Sequence, residues 1–251
     1  MVSLKTTDWV LDNVETVLFD KDGTFIDLHY FWGKMTELRA LEIINHFALP
    51  ENVFENLCNY LGYDVTSGKM LPDGITALYS RSKIIEIFKG NLQDLGVVTT
   101  DTELAEIFDF VSQIFYKDMQ KYTKPIDDAV EFIKDLRARG LRLGVVTSDS
   151  VESTYLTLKY FGWEELFDVV VGRESSVQTK ESGALTMIAL TQLAVNPLTT
   201  VMIGDAPMDY YAAKNAGVER IILVATGQIL PEELQKTSPY VLKSLKEISI
   251  E

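Results

Sequence analysis

Cysteine and long apolar runs are nearly absent from this chain of 251 residues. Cys58 is the single cysteine, so the chain can form neither an intrachain disulfide nor a zinc site built from cysteines. No apolar run approaches the roughly 18 residues that a membrane-spanning helix needs. Residues 1–15 mix acidic, basic and apolar side chains, unlike a secretory signal peptide. We therefore expect a reduced, cytoplasmic protein with no membrane partner.

Positive charge is also scarce, since 23 lysine and arginine residues face 37 acidic ones and the formal net charge is −14. A surface with this balance repels the phosphates of nucleic acid and anionic lipid, so we expect neither as a partner. An anionic small molecule would need locally concentrated positive groups or a bound metal cation. The 47% hydrophobic and 24% charged content is ordinary for a globular protein and excludes a disordered chain.

Five short apolar runs predict the strands of a parallel sheet. Their apolar character is continuous rather than alternating, as in strands buried on both faces. They are Thr16–Phe19, Leu141–Val146, Phe167–Val171, Thr200–Ile203 and Arg220–Val224. The later runs alternate with segments of helical period, which are Asp127–Arg139, Val151–Phe161, Gly183–Leu193 and Met208–Ala216. This alternation predicts an α/β fold with a Rossmann-like, doubly wound parallel sheet.

The interval from residue 28 to residue 122 does not follow this alternation. Its helical stretches are Phe31–Phe47, Ile75–Lys89 and Thr102–Gln120, with a loop expected around Gly62–Gly74. An ordinary crossover is far shorter than this interval. We therefore predict a catalytic core formed by residues 1–27 and 123–251, and an inserted α-helical cap domain formed by residues 28–122.

Two acidic clusters follow predicted strands. Asp20 and Asp22 come directly after the first strand, and Asp205 and Asp209 follow the fourth. An Asp-Gly turn alone would be unremarkable. Ligands of open parallel sheets, however, bind at the carboxyl ends of the strands, where both clusters fall. Carboxylates that converge there would repel one another unless a cation neutralised them, and an all-oxygen set favours Mg²⁺.

Two further strand ends carry polar groups. Thr147 and Ser148 follow the second strand and offer hydroxyl and N–H groups at a helix N-terminus, where an anion can bind. Lys180 lies in a polar loop after the third strand. Taken singly, Thr147 is better explained as a helix cap, and Lys180 is better explained as a solvated surface lysine. Their order along the chain, together with the aspartates, indicates a phosphate site.

The combination resembles the haloacid dehalogenase-like hydrolase superfamily. Residues 19–24 (FDKDGT), 145–148 (VVTS), Lys180 and 204–209 (GDAPMD) resemble its four motifs in order, and these motifs span the predicted core. The helical insertion, Asp27 and residues 212–217 (AAKNAG) are similar to its phosphoglycolate phosphatase-like branch. Glu181 follows Lys180 where that branch often has proline.

The resemblance implies a Mg²⁺-dependent phosphatase that forms an aspartyl phosphate on Asp20. Asp22 would then be the general acid and base, with its backbone carbonyl as a metal ligand. Asp20 and Asp205 would bind the metal directly. Asp209 would act through a water molecule or by orienting its neighbours.

Phosphoryl oxygens would be held by Thr147, Ser148 and Lys180. The expected partner is a small phosphorylated metabolite, phosphoglycolate-like or a sugar phosphate. The oligomeric state is not predicted.

Alternative activities remain within and outside that superfamily. Asp22 disfavours the dehalogenase and phosphonatase branches, which do not need an acid at that position. A phosphomutase keeps both aspartates, but neither His29 nor His46 falls where the mutase branch has its cap histidine. A non-catalytic phospho-binding module is the alternative of another class, although none of the expected acids is missing. The cap cations Lys34, Arg39, Lys69 and Arg81 could each meet a carboxylate or second phosphate of the substrate, although each one singly is better explained as a solvated surface charge.

Overall fold

Two units, formed from three stretches of chain, make up the structure. The computed structural model describes residues 2–251. The first unit comprises the chain up to Asp27 together with Lys124–Glu251, and the second comprises Leu28–Thr123. Each unit has its own cluster of buried apolar side chains.

The elements are numbered here in chain order. The strands are β1 Val2–Lys5, β2 Val10–Val14, β3 Thr16–Phe19, β4 Tyr63–Asp64, β5 Lys69–Met70, β6 Arg142–Val146, β7 Val169–Val171, β8 Thr200–Gly204, β9 Arg220–Val224, β10 Val241–Leu242 and β11 Ser249–Ile250. The helices are α1 Leu28–His46, α2 Phe54–Tyr60, α3 Ile75–Leu78, α4 Arg81–Gln93, α5 Asp101–Lys117, α6 Met119–Tyr122, α7 Asp127–Ala138, α8 Val151–Phe161, α9 Ala184–Leu193, α10 Pro207–Asn215 and α11 Pro231–Leu234.

The main sheet of the first unit has six parallel strands in the order β10–β9–β8–β3–β6–β7. Every residue of β3 and β8 is buried, which explains their continuous apolar character. Leu18, Val146, Met202 and Leu223, from four neighbouring strands, share one apolar cluster with side chains of α9 and α10. The predicted fold class, a Rossmann-like parallel sheet flanked by helices, is confirmed.

Local signals fix the helices that follow the strands. At the start of α8, the Ser150 hydroxyl accepts a hydrogen bond from Ser153 N at 3.0 Å, which satisfies an N–H group that lacks a partner in the helix. Gly162 ends α8 with φ of +67°, a conformation that costs glycine little.

A small antiparallel sheet of the first unit was not predicted. It pairs β1 with β2 on one side and with β11 on the other. Burial in β1 alternates along the strand instead of running through it, so a search for continuous apolar runs passes over this sheet. The last strand of the main sheet, β10, is only two residues long and was missed as well.

The second unit contains helices α1–α6 and a short hairpin of β4 and β5. The hairpin occupies part of the interval that was expected to be a loop. The single helix predicted over Ile75–Lys89 is wrong, because Tyr79 and Ser80 are extended and separate α3 from α4. Ser80 occupies the N-cap position of α4, although its side chain makes no capping hydrogen bond.

The helix predicted over Thr102–Gln120 also divides in two. Asp118 leaves the helical region with φ of −130° and ψ of 39°, between α5 and α6. At the other end, the Thr100 hydroxyl accepts a hydrogen bond from Glu103 N at 3.1 Å and begins α5 one residue earlier than predicted. Between residues 2 and 251 the structure contains no helix of the length and apolar character needed to cross a bilayer.

Candidate active site

The central strand β3 places Asp20 at the carboxyl edge of the main sheet. In the sheet register, Phe19 lies beside Val145 on β6 and Ile203 on β8. Asp20 continues this ladder, since its N–H donates to Ile203 O at 2.8 Å. The residues that follow β6 and β8 therefore emerge on either side of Asp20, at the edge where ligands of such sheets bind.

Three buried carboxylates gather at this edge. Asp20, Asp205 and Asp209 each offer an oxygen atom, and these atoms all lie within 4.8 Å of one another. The three residues are between 1% and 6% exposed. Asp205 and Asp209 come from the loop and helix that follow β8, and Asp20 directly follows β3.

Lys180 is the cation that this cluster holds. Its Nζ lies 2.5 Å from Oδ1 of Asp20 and 2.5 Å from Oδ1 of Asp209. It begins a short 3₁₀ turn, Lys180–Ser182, and is 5% exposed, so it is not a surface lysine. The Asn215 side chain donates to Glu181 O at 2.9 Å, which fixes this turn against the end of α10.

Asp209 orders the loop that carries Asp205. Its Oδ2 accepts hydrogen bonds from the N–H groups of Asp205 at 3.1 Å and Ala206 at 3.0 Å. These donors stand at the start of α10, where a carboxylate is also favoured by the helix dipole. Of the two roles considered for Asp209, the structure shows the orienting contacts.

Two of these carboxylates, Asp20 and Asp205, and the Lys180 ammonium have shifted pKa values because they are buried together. Burial raises the pKa of Asp20 to about 7, although the Lys180 ammonium favours the charged carboxylate and acts to lower this pKa. Burial and the charges of Asp209 and Asp20 raise the pKa of Asp205 well above its ordinary value. Burial alone would lower the pKa of Lys180, but the Asp20 and Asp209 carboxylates raise it above its ordinary value.

The donor set fits a hard divalent cation. Among residues 2–251, no lysine or arginine nitrogen lies within 4.0 Å of the Asp205 carboxylate, although that carboxylate is buried. Three carboxylates therefore share one lysine. An all-oxygen group with excess negative charge is the kind that Mg²⁺ or Ca²⁺ occupies in proteins.

A second buried group, which the sequence reasoning missed, lies beside the first. Lys21 is 0% exposed, and its Nζ lies 3.0 Å from Oδ1 of Asp22 and 2.7 Å from Oδ2 of Asp149. Burial opposes the charge of Lys21, but Asp149 and Asp22 raise its pKa. Burial likewise opposes the charge of Asp149, but Lys21 lowers its pKa. The available signal was a lysine set between two motif aspartates.

The two residues expected to bind phosphate differ in exposure. Thr147 is buried after β6, and its hydroxyl accepts a hydrogen bond from Asp149 N at 3.1 Å. Ser148 is exposed, and its hydroxyl lies 3.4 Å from Sδ of Met208. Both lie in the loop that follows β6, the strand paired with β3.

The loop after β9 also contributes to the site and was not predicted. The Thr226 hydroxyl donates to Gly23 O at 2.5 Å. A Cβ on Gly227 would overlap Oδ2 of Asp205, so only glycine fits there without a shift. Gly23, with φ of +91°, faces the same carboxylate. Thr226 and Gly227 follow β9 after one residue, Ala225, but nothing in this local sequence indicates a contact with Gly23, 203 positions away.

The cations of the second unit that were considered for specificity mostly have partners within that unit. Lys34 pairs with Glu37 at 2.6 Å, and Arg81 pairs with Asp109 at 2.7 Å. Arg39 is buried, and its guanidinium lies over the Phe108 ring at 4.3 Å. Lys69 is exposed on β5.

Comparison with known proteins gives a family, relatives and folds. The protein-family model described as haloacid dehalogenase-like hydrolase matches residues 69–223, more than half of the chain. Pyrophosphatase PpaX of Halalkalibacterium halodurans is 26% identical over 235 residues, which cover 94% of this chain and 95% of that protein. A phosphoglycolate phosphatase of Neisseria meningitidis is 28% identical over 209 residues, which cover 82% of this chain and 79% of that protein.

Solved structures share the fold. A HAD-superfamily hydrolase of subfamily IA from Geobacter sulfurreducens has a TM-score of 0.63 at 17% identity and covers 94% of this chain and 94% of its own. CbbY from Rhodobacter sphaeroides, solved in complex with phosphate, has a TM-score of 0.59 at 19% identity and covers 92% of this chain and 95% of its own.

Proposed function

The chain belongs to the haloacid dehalogenase-like hydrolase family, and from this premise we propose that it hydrolyses a small phosphorylated metabolite with Mg²⁺ through an aspartyl phosphate on Asp20. The chain is thus an enzyme of the phosphoric monoester hydrolase class. The observation that carries the proposal is the buried group of Asp20, Asp205 and Asp209 around Lys180.

The reaction proceeds in two displacements. A carboxylate oxygen of Asp20 attacks phosphorus, and the bond from phosphorus to the leaving oxygen breaks as that oxygen takes a proton from Asp22. A water molecule then attacks the phosphorus of the aspartyl phosphate and returns a proton to Asp22. This second step releases inorganic phosphate and regenerates the Asp20 carboxylate. Splitting the reaction lets a placed carboxylate replace water as the first nucleophile.

The remaining acidic residues have roles in binding the metal ion and in orienting its ligands in this proposal. Asp20, Asp205 and the backbone carbonyl of Asp22 would hold the Mg²⁺, and the bound cation would neutralise the carboxylates and the substrate phosphate. Asp209 serves by orienting the Asp205 loop, a role supported by its hydrogen bonds to Asp205 N and Ala206 N.

Three groups hold the phosphoryl oxygens in this proposal. They are the Thr147 hydroxyl, the Ser148 N–H and Lys180. Each would donate a hydrogen bond to an oxygen on which negative charge grows in the transition state. The burial of Lys180 and its short contact with Asp20 support its assignment to this group.

The substrate class follows from charge and from the relatives. A chain with a net charge of −14 favours an anionic substrate only where a cation and Lys180 concentrate positive charge. The relatives are named for pyrophosphate and phosphoglycolate, both small and highly anionic. We therefore propose a small, multiply charged phosphate compound. Residues 28–122 act in this proposal as the cap domain that selects it.

The test uses purified protein, 4-nitrophenyl phosphate, and a panel that includes pyrophosphate, phosphoglycolate and sugar phosphates. Wild type should release phosphate with Mg²⁺, and EDTA should abolish this activity. Asp20→Asn should lower kcat by more than about 100-fold, because it removes the nucleophile at nearly constant volume. Asp8→Asn, an exposed site, is the matched control and should keep wild-type activity.

Three outcomes would contradict the proposal. Full activity in EDTA would exclude the metal role, and turnover by Asp20→Asn near the wild-type rate would exclude the nucleophile. Conversion of a sugar phosphate into its isomer, without phosphate release, would make the chain a mutase instead.

A further inference from the structure

Lys21 is a fully buried lysine that the proposed reaction does not use. It is 0% exposed and lies between the carboxylates of Asp22, at 3.0 Å, and Asp149, at 2.7 Å. Asp22 belongs to the loop after β3, and Asp149 to the loop after β6. The lysine therefore joins the loop of the proposed acid to the loop of the proposed phosphate-binding groups.

Stability alone does not account for a charged group at this position. Removing an ammonium group from water costs several kcal/mol in proteins, of the order that its ion pairs return. Well-packed apolar residues of similar volume often serve stability as well or better. A fully buried lysine between two carboxylates is therefore better explained by what it holds in place.

The backbone on both sides of Lys21 is fixed. The Lys21 carbonyl accepts hydrogen bonds from the N–H groups of Phe25 and Ile26, each at 3.1 Å, which close the turn that carries Asp22. On the other loop, Oδ1 of Asp149 accepts from Ser150 N at 2.7 Å. An ammonium group held between two such anchored segments fixes the direction of each carboxylate.

We propose that Lys21 is a positioning residue for the proposed hydrolysis, on which this inference rests: it holds Oδ1 of Asp22 against the loop of Asp149 and so fixes the orientation of the proposed acid relative to the leaving oxygen. In the first step Asp22 gives its proton to the leaving oxygen as the bond from phosphorus to that oxygen breaks. In the second step Asp22 takes a proton from the attacking water as the new bond to phosphorus forms. Lys21 itself gains and loses no proton.

The test compares two esters of similar size. The phenol of phenyl phosphate needs a proton as it leaves, whereas the stabilised phenolate of 4-nitrophenyl phosphate does not. Lys21→Met keeps an unbranched side chain, one heavy atom shorter, and removes its charge. It should lower kcat/KM for phenyl phosphate by about 100-fold, the low end of what general acid catalysis contributes, and for 4-nitrophenyl phosphate by less than about 5-fold.

The second displacement gives an independent readout. The kcat/KM value reports the steps up to phosphoryl transfer, whereas kcat also includes attack of water on the aspartyl phosphate. The misplaced Asp22 would slow that attack for either ester. With 4-nitrophenyl phosphate, Lys21→Met should therefore lower kcat and KM together. A general loss of folded protein would lower kcat and leave KM unchanged.

Two further variants separate position from stability. Lys21→Met/Asp149→Leu removes both charges with apolar groups, so its melting temperature should recover towards that of wild type, while the discrimination between the two esters stays altered. Leu4→Ala destabilises the small antiparallel sheet of the same unit and should lose activity equally on both esters, if at all.

The outcomes distinguish this inference from the proposed function. Equal losses on both esters in Lys21→Met and in the double variant would show that Lys21 is only structural and would overturn the inference, leaving the proposed function standing. Wild type that hydrolyses neither ester would overturn both. Turnover by Asp20→Asn would overturn the covalent step alone, since the comparison of leaving groups requires only an acid at Asp22.

Discussion

Asp205→Asn should stabilise the metal-free protein while it removes function. Oxygen atoms of Asp205, Asp20 and Asp209 lie within 4.8 Å of one another, and one lysine serves the group. At an effective dielectric constant of about 20, each pair of ionised carboxylates at that distance repels by about 3.5 kcal/mol. Replacing one carboxylate by an uncharged amide of the same size relieves two such pairs, less what protonation already relieves. We expect a net gain of about 2–4 kcal/mol above pH 8.

The gain should depend on pH in a defined direction. The pKa of Asp20 is raised from 3.8 to about 7, and that of Asp205 is raised as well. The folded chain therefore holds protons on these carboxyls at pH values where the unfolded chain has released them. In EDTA, the free energy of unfolding of wild type should fall as the pH rises from about 4 through about 7. Asp205→Asn should flatten this fall.

The assay is thermal unfolding, monitored by circular dichroism in EDTA or in Mg²⁺ at pH values from about 5 to about 9. A change of 1 kcal/mol shifts Tm by about 2–4 °C in a chain of this size, so Asp205→Asn in EDTA should melt about 5–10 °C above wild type at high pH. Mg²⁺ should raise the Tm of wild type and leave that of the variant unchanged.

Asp168→Asn provides the opposite control. Its Oδ2 accepts hydrogen bonds from Leu143 N at 2.9 Å and from Arg137 at 2.9 Å. Partial burial acts to raise the pKa of Asp168, but these partners lower it below its ordinary value. Asp168→Asn should therefore lower the free energy of unfolding at neutral pH, and this loss should become smaller as the solution becomes acid. An Asp205→Asn protein that melts at or below wild type in EDTA at every pH would refute the reasoning about the carboxylate cluster.

Two further predictions concern the neighbours of this cluster. Gly227→Ala should abolish activity or raise the Mg²⁺ concentration needed for half-maximal activity, because the added methyl group would overlap the Asp205 carboxylate. Gly90→Ala is the control, since Gly90 lies in a helix with open space around it. It should raise the free energy of unfolding by about 0.5–1 kcal/mol and keep full activity. Lys180→Met should lower the free energy of unfolding by about 3–5 kcal/mol in EDTA and abolish turnover, since it leaves the carboxylates that shared this cation uncompensated; unchanged stability by urea titration would contradict that account.

The sheet was predictable because its central strands are buried on both faces. Thr16–Phe19 and Arg220–Val224 have the predicted bounds. The acids at the ends of β3 and β8 follow those runs directly, so the carboxyl edge of a parallel sheet predicts that they meet. The small antiparallel sheet was not predicted because exposed or partly exposed residues separate the buried ones in β1 and β2, so neither strand is a continuous apolar run.

Contacts between distant loops were not predictable from one sequence. The Thr226 hydroxyl donates a hydrogen bond to Gly23 O, 203 positions away in the sequence, and no local pattern predicts this contact. Lys21 was missed for a different reason. Lysine is rarely buried, so a lysine between two aspartates is naturally interpreted as part of a solvated turn. Only the tertiary structure shows that the Asp149 carboxylate lies beside the Lys21 ammonium group.

In the proposed mechanism Asp20 carries the phosphoryl group during turnover, and this intermediate can be trapped. Wild type with Mg²⁺ and 4-nitrophenyl phosphate, quenched with acid within one turnover and digested, should give the peptide containing Asp20 with one added phosphoryl group. That species should form with release of 4-nitrophenol and decay with release of phosphate. Release of both products at the same rate, with no phosphorylated peptide at any quench time and none in a variant whose second step is slowed at Asp22, would contradict the account.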